Sequence, residues 1–381
     1  MVIEQVGQWS ASIGPTRVVF GAGALNDLGR LARDLGGTGA LLVTDAGLRA
    51  AGHAGRAERS LAGAGLRVSA FDGVAENPTT RHVEEGARFA LPLGIDLIVG
   101  LGGGSAMDCA RGINFLLTQG GRMEDFWGTN RAVRPMLASI GVPTTAGTGS
   151  EAQSYALIEQ DDSRLKMACG DEKARFRIAI LDPDLTATTP PRVAAAAGMD
   201  AISHAVESFV STRRNPLSSL FAREAWRLLS SSLSRALGDP SDQTSRERML
   251  LGAHLAGAAI EASMLGAAHA CANPLTSRYG VPHGEAVLLM LPHVVRFNEP
   301  VAGPLYADLM GETTAASAGD LADHLVDLRR MAGLRSRLRD AGVAAASLPS
   351  LAVEASEQWT AGFNPRPVTR QDLQVLYETA Y

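Results

Sequence analysis

Asp96-Leu97-Ile98-Val99-Gly100-Leu101-Gly102-Gly103-Gly104-Ser105 passes from a short apolar run, through glycines, into a helix-like stretch that holds Asp108. Asp96–Val99, three aliphatic residues running into glycine, reads as a buried strand, and the stretch after Ser105 reads as the helix that follows it. Glycine at such a turn lets the backbone come close to a pyrophosphate, and the helix N-terminus behind it offers free N–H groups to an anion. The spacing departs from G-x-G-x-x-G, since Ser105 stands where the third glycine would fall; the other reading is a tight strand-to-helix turn with no ligand.

The same alternation extends to both sides. Leu41–Thr44 reads as a strand ending at Asp45, residues 54–64 as a helix, Leu66–Phe71 as a strand and residues 81–91 as a helix. Met136–Val142 and Ile178–Leu181 are further strands. Strands that alternate with helices predict an α/β domain with a parallel, doubly wound sheet and its ligand at the strand carboxyl ends. A second loop, Pro143–Glu151, carries Thr144, Thr145 and Thr148 and offers amides and hydroxyls to phosphate or ribose; it also reads as an ordinary βα connection. Asp45 at a strand end can accept from both ribose hydroxyls and would repel a 2′-phosphate, which favours NAD over NADP, or it can simply cap a helix. The chain holds no G-x-x-x-x-G-K-[ST], which disfavours a P-loop kinase or ATPase.

After about Pro190 strand signals almost vanish, and helical patterns cover 216–237, 244–266 and 316–342. The Pro- and Thr-rich stretch 182–191 marks the change, so residues 1–186 read as an α/β domain and 187–381 as an all-helical domain. Asp200 and His204 stand four apart on one helix face, and His269 and His283 flank the turn-rich residues 272–282. One carboxylate and three imidazoles suit Fe²⁺ or Zn²⁺ with a position left open for substrate. An Asp/His pair at that spacing also reads as a plain helix hydrogen bond, and the other histidines read as structural.

Composition narrows the classes. The 381 residues are 46% hydrophobic and 20% charged, which excludes a disordered chain. Aromatics at 5% and a net charge of −5 disfavour a nucleic-acid binder. Three well-separated cysteines form no CxxC pair, no secretory leader is visible in residues 1–14, and no apolar run is long enough to span a membrane. These features point to a cytoplasmic protein.

Taken together, residues 20–25, 41–48, 77–79, 102–108, 143–151, 180–185, 198–209, 282–284, 291–298 and 364–367 resemble the iron-dependent (group III) alcohol dehydrogenase family, in the family's order and over nearly the whole chain. The resemblance implies a dinucleotide-binding α/β domain, residues 1–186, and an all-helical metal-binding domain, residues 187–381, in which Asp200, His204, His269 and His283 bind the metal. It implies that Gly103, Gly104, Ser105 and Asp108 line the pyrophosphate and that Thr144, Thr145, Thr148 and Lys166 contact cofactor. Asp45 and Asn77 would hold the adenosine part, Leu185 would lie on the nicotinamide side, and Tyr155, Ile260 and Asn273 would border the substrate. It further implies a homodimer or larger homo-oligomer. Three positions depart from the family's pattern: Arg111 replaces a frequent lysine, Asn273 replaces a histidine placed to move protons, and Ile260 replaces an aromatic ring. The expected reaction is reversible hydride transfer between a small primary alcohol, or its aldehyde, and nicotinamide. Rival readings are a reductase of an anionic (phosphonate, sulfonate or carboxylate) aldehyde, an NAD- and metal-using lyase such as the related dehydroquinate synthase, and a non-catalytic sensor.

Overall fold

The computed structural model describes residues 8–163, 165–311 and 317–381. Residues 1–7, which hold half of the segment read above for a leader, and residue 316 of the 316–342 pattern lie outside the described residues. The chain forms two compact units, residues 1–145 with 149–189 and residues 146–148 with 190–381.

The first unit is built on a seven-stranded sheet. Its strands are β1 (Trp9–Ile13), β2 (Thr16–Phe20), β3 (Gly39–Val43), β4 (Arg67–Phe71), β5 (Leu97–Gly102), β7 (Ala138–Pro143) and β10 (Ile178–Leu181). The order across the sheet is β1-β2-β10-β7-β5-β3-β4, parallel except for the β1–β2 hairpin at one edge. Five helices belong to this unit among the described residues: α1 (Leu28–Asp34), α2 (Ala46–Ala50), α3 (His53–Gly63), α4 (Thr80–Ala90) and α5 (Gly104–Gln119).

Every residue of β3 and β5 is buried, as a parallel strand covered on both faces requires. Alternate side chains feed two cores: Leu42, Leu97 and Val99 pack with Leu28, Leu31 and Leu61 of α1 and α3, whereas Leu41, Val43 and Ile98 pack with Val83 and Ile113 of α4 and α5. Helices thus cover both faces of the sheet, the doubly wound arrangement expected. A smaller sheet, β6 (Gly128–Thr129), β8 (Tyr155–Glu159) and β9 (Lys166–Gly170), ordered β6-β9-β8, was not legible from the sequence.

The second unit is helical. Its elements among the described residues are α6 (Pro191–Val210), α7 (Pro216–Gly238), α8 (Gln243–Ala262), α9 (Ala267–Tyr279), α10 (His283–Met310), α11 (Ala318–Met331), α12 (Leu348–Ser356) and α13 (Arg370–Ala380). From Gly198 to Val210 every residue of α6 is buried, so it is the central helix, packed by α7, α8 and α10.

Three expectations are corrected here. Residues 272–279, read as turn-rich, continue α9 with Pro274 inside it. The 244–266 pattern ends at Ala262, and the 316–342 pattern stops as helix at Met331, ahead of Gly333 at φ +67°. Among the described residues no single helix is long and apolar enough to cross a membrane.

Candidate metal centre and candidate cofactor residues

The sheet topology brings three loops together. From β3 the chain moves outward to β4, then returns to β5 on the other side of β3, so strand order reverses there. Such a switch point is where open α/β sheets bind ligands. Val43 is registered with Gly100, and Gly102 with Pro143, so the ends of β3, β5 and β7 lie side by side. Asp45 follows β3, Gly103 to Ser105 follow β5, and Thr144 and Thr145 follow β7.

Their packing is close. Asp45 caps α2 through Leu48 N (2.9 Å), and a Cβ on Gly102 would meet Ala106 Cβ at 2.6 Å and stand 3.7 Å from Asp45 Oδ2. Gly102 sits at φ +154°, a backbone that favours glycine. Gly103 caps α5 without any side-chain bond and lies against Thr145, whose Oγ1 is 3.5 Å from where a Cβ would be. The first amides of α5 thus face no capping oxygen. Thr144 is buried, its N–H donating to Gly102 O (3.0 Å).

Asn77 joins this group from before α4. Its N–H donates to Ser105 Oγ (3.3 Å), and Lys166 Nζ on β9 donates to its Oδ1 (3.3 Å). Thr148 falls in the second unit with Ala146 and Gly147. The Leu185 side chain is wholly buried in the core beneath the sheet. Asp108 is buried and held by Ser150 Oγ (2.8 Å) and Arg111 Nη1 (3.3 Å). Burial pushes the Asp108 pKa up, with Arg111 and the Ser150 hydroxyl pulling against it.

Arg111 is 1% exposed. It donates to the carbonyl oxygens of Ala174 (3.2 Å), Tyr155 (3.1 Å) and Gln153 (2.7 Å), to Ser150 Oγ (2.7 Å) and, closely, to Ser150 O. Its guanidinium also lies 4.3 Å from the Phe176 ring centroid. Only a planar fork serves so many acceptors at once.

In the second unit α6 places Asp200 and His204 one turn apart, α9 brings His269 and the start of α10 brings His283. The Nε2 atoms of His204, His269 and His283 lie 3.4, 3.6 and 3.9 Å from one oxygen, Asp200 Oδ1. Asp200 Oδ1 and His269 Nε2 are buried and make no hydrogen bond. Ligand atoms of Asp200, His269 and His283 all lie within 4.8 Å of one another, and His204 adds its Nε2 from beside Asp200; one carboxylate and three imidazoles are donor types that suit Fe²⁺ or Zn²⁺. His283 is the open side of the cluster, its side chain 29% exposed against 5% or less for the other three. Gly284 permits that approach: a Cβ there would collide with Ala196 O and reach 2.9 Å from Asp200 Cβ.

Burial resists charge on Asp200, but the three imidazoles outweigh it and hold its pKa well below the usual carboxylate range. Burial drives His204 down to about 4. Burial works on His269 in the same direction, but the carboxylates of Glu207 and Asp200 together override it and hold the pKa at about 9.

Glu207 is the site residue that sequence reasoning missed. It lies seven residues after Asp200 on the same face of α6, is 4% exposed, and accepts from His269 Nδ1 and from Ala268 N (2.8 Å). The i, i+4, i+7 spacing of Asp200, His204 and Glu207 was the available signal. Of the residues expected to border the substrate, Ile260 is buried in α8, Tyr155 is half-buried on β8, and half-buried Asn273 donates to Gln358 Oε1 (2.9 Å).

Sequence comparison fits this arrangement. The chain matches the family model described as iron-containing alcohol dehydrogenase over residues 15–183, and that family's C-terminal model over 194–381. It is 35% identical over 372 residues to the 1,3-propanediol dehydrogenase of Klebsiella pneumoniae, covering 95% of this chain and 96% of the other. It is 32% identical over 374 residues to the NAD-dependent methanol dehydrogenase of Bacillus methanolicus, with 96% and 98% covered. A crystal structure of 1,3-propanediol oxidoreductase superposes with a TM-score of 0.92 at 33% identity, covering 99% of this chain and 100% of that one. A metal- and nucleotide-dependent oxidoreductase is the class that such a fold and cluster define. The chain belongs to the iron-containing alcohol dehydrogenase family.

Proposed function

We propose that this chain catalyses reversible, NAD(H)-dependent interconversion of a small primary alcohol and its aldehyde, with Fe²⁺ (Zn²⁺ as the alternative) held by Asp200, His204, His269 and His283. The observation that carries the reading is the convergence of three imidazole Nε2 atoms on Asp200 Oδ1. The ion, when bound, supplies Lewis acidity toward the alcohol or carbonyl oxygen, and NAD supplies or takes the hydride.

The protein's own groups do the rest. Asp200 balances charge at the ion, and the half-open His283 side leaves room for the substrate oxygen. The amides after Gly103 bind pyrophosphate, the Asp45 carboxylate accepts hydrogen bonds from the ribose hydroxyls, and Lys166 and Asn77 fix the cofactor beside Ser105. Ile260 offers the substrate an aliphatic wall, and the Asn273 amide orients it without exchanging a proton at neutral pH.

Three arginines stand near the metal-ligand motifs in sequence, Arg213, Arg214 and Arg278, and two of them are engaged with other side chains. Arg278 pairs with Glu354 (3.2 Å) and donates to Ser350 Oγ (2.9 Å), and Arg213 lies 5.8 Å from the Phe363 ring centroid. This supports a neutral substrate over an anionic aldehyde. We assign the dinucleotide to residues 1–186 and the metal to 187–381. The net charge of −5 and the three buried, free cysteines support a cytoplasmic enzyme, and family habit supports a homo-oligomer.

The test is NADH oxidation at 340 nm by metal-stripped protein reloaded with Fe²⁺ or Zn²⁺ and offered neutral and anionic aldehydes. Metal-dependent oxidation of neutral aldehydes is expected. Cofactor binding without oxidation under any metal would refute the reading.

A further inference from the structure

The carboxylate of Glu207 has two donors aimed at it from adjacent residues of α9. Its Oε1 accepts from Ala268 N at 2.8 Å, and its Oε2 accepts from His269 Nδ1. The first turn of α9 is held a second time by Asn364, whose Oδ1 accepts from Ala267 N (3.3 Å) and from Asn298 Nδ2 (3.0 Å). Gly266 makes room for both partners: a Cβ there would stand 2.9 Å from Glu207 Oε1 and 3.1 Å from Asn364 Oδ1. Glu207, Asn298 and Asn364 are each 4% exposed or less, so this is a buried, hydrogen-bonded frame.

We infer that Glu207 is a positioning residue for the metal centre: it fixes the proton of His269 on Nδ1 and the plane of the ring, and so presents the Nε2 lone pair toward Asp200 Oδ1. The inference rests on the metal reading above. Its physical basis is that an imidazole ligand needs an unprotonated nitrogen facing the ion, and a carboxylate on the opposite nitrogen sets that tautomer and strengthens the ligand. Glu207 does so from the helix that carries Asp200 and His204, which locks three donors of the set to a common frame.

The pair of donors makes the role testable. An amide at position 207 has only one oxygen, so it cannot accept from both Ala268 N–H and His269 Nδ1–H without turning its NH₂ toward one of them. Glu207→Asp keeps both oxygens but withdraws them by one methylene. The experiment is titration of metal-stripped protein with Co²⁺, followed by its visible absorption, with helicity checked by circular dichroism.

Wild-type protein is expected to take up one Co²⁺ per chain. Glu207→Gln is expected to bind about 10–100-fold more weakly, with an altered absorption band, and Glu207→Asp is expected to lie between the two. A merely structural role would lower the melting temperature and leave the dissociation constant and the band unchanged; that result in either folded variant overturns the inference. If the glutamine variant does not fold, the aspartate variant decides by the same criterion. Wild-type protein that takes up no Co²⁺ overturns the metal reading itself, and this inference with it.

Discussion

Lys166 Nζ reaches Asn77 Oδ1 across 3.3 Å, although 89 residues separate them in sequence. Asn77 holds a left-handed backbone, φ +51°, which asparagine tolerates better than most residues, and its N–H donates to Ser105 Oγ at the start of α5. Three residues expected to contact cofactor therefore form one connected group. Replacing Lys166 by alanine removes a charged donor and is expected to raise the Kd for NADH roughly tenfold, about 1.4 kcal/mol. Fluorescence titration of NADH measures it, and an unchanged Kd would remove Lys166 from the cofactor site.

Asp45 has two roles that one substitution separates. Its Oδ1 caps α2, a bond that asparagine keeps, while the charge that repels a 2′-phosphate is lost. Asp45→Asn is expected to leave the melting temperature nearly unchanged and to lower the ratio of kcat/KM for NAD over NADP. Equal ratios in variant and wild type would refute the ribose role.

Arg111→Lys restores the residue frequent in the family but not its geometry. Lysine has three donors on one nitrogen, so some of the oxygens that Arg111 serves between Ser150 and Ala174 would be left buried and unpaired. A loss of about 1–3 kcal/mol is expected in urea unfolding. An unaltered midpoint would mean that the loop repacks around the ammonium.

Gly284→Ala places a methyl group against Ala196 O, between α6 and α10. The helices must part, at a cost of about 1–3 kcal/mol, and His283 moves away from Asp200 as they do. Both a lower melting temperature and weaker metal uptake are expected. Normal uptake would show that His283 holds its place without the close approach.

The βα units and the Asp200–His204 pair were legible because each is local: a strand that runs into glycine, and a helical spacing of four. What stayed hidden depends on partners far along the chain. β6 has only two residues, too few to carry an alternation, and forms by pairing with β9. α10 keeps Pro292, Pro300 and Pro304 inside one helix, and α9 keeps Pro274, where the local rule predicts a break; packing of their buried faces outweighs the lost bonds. Asp108 reads as a ligand for cofactor, and only the fold reveals that Arg111 and Ser150 hold it. Glu207 gains its role from the two donors that α9 delivers to it, and α9 lies about sixty residues further along the chain.

The short segment Ala146–Thr148 belongs to the helical unit although its neighbours on either side belong to the sheet unit. A Cβ on Gly147 would come within 2.7 Å of Ala197 Cβ on α6, the helix that bears Asp200, so those three residues and α6 are fitted to each other. Recombination between relatives therefore has no single clean crossover. A chimera joined near residue 187 would inherit α6 from one parent and the segment that packs on it from the other, and the two halves would have to be exchanged at three junctions to travel as intact pieces.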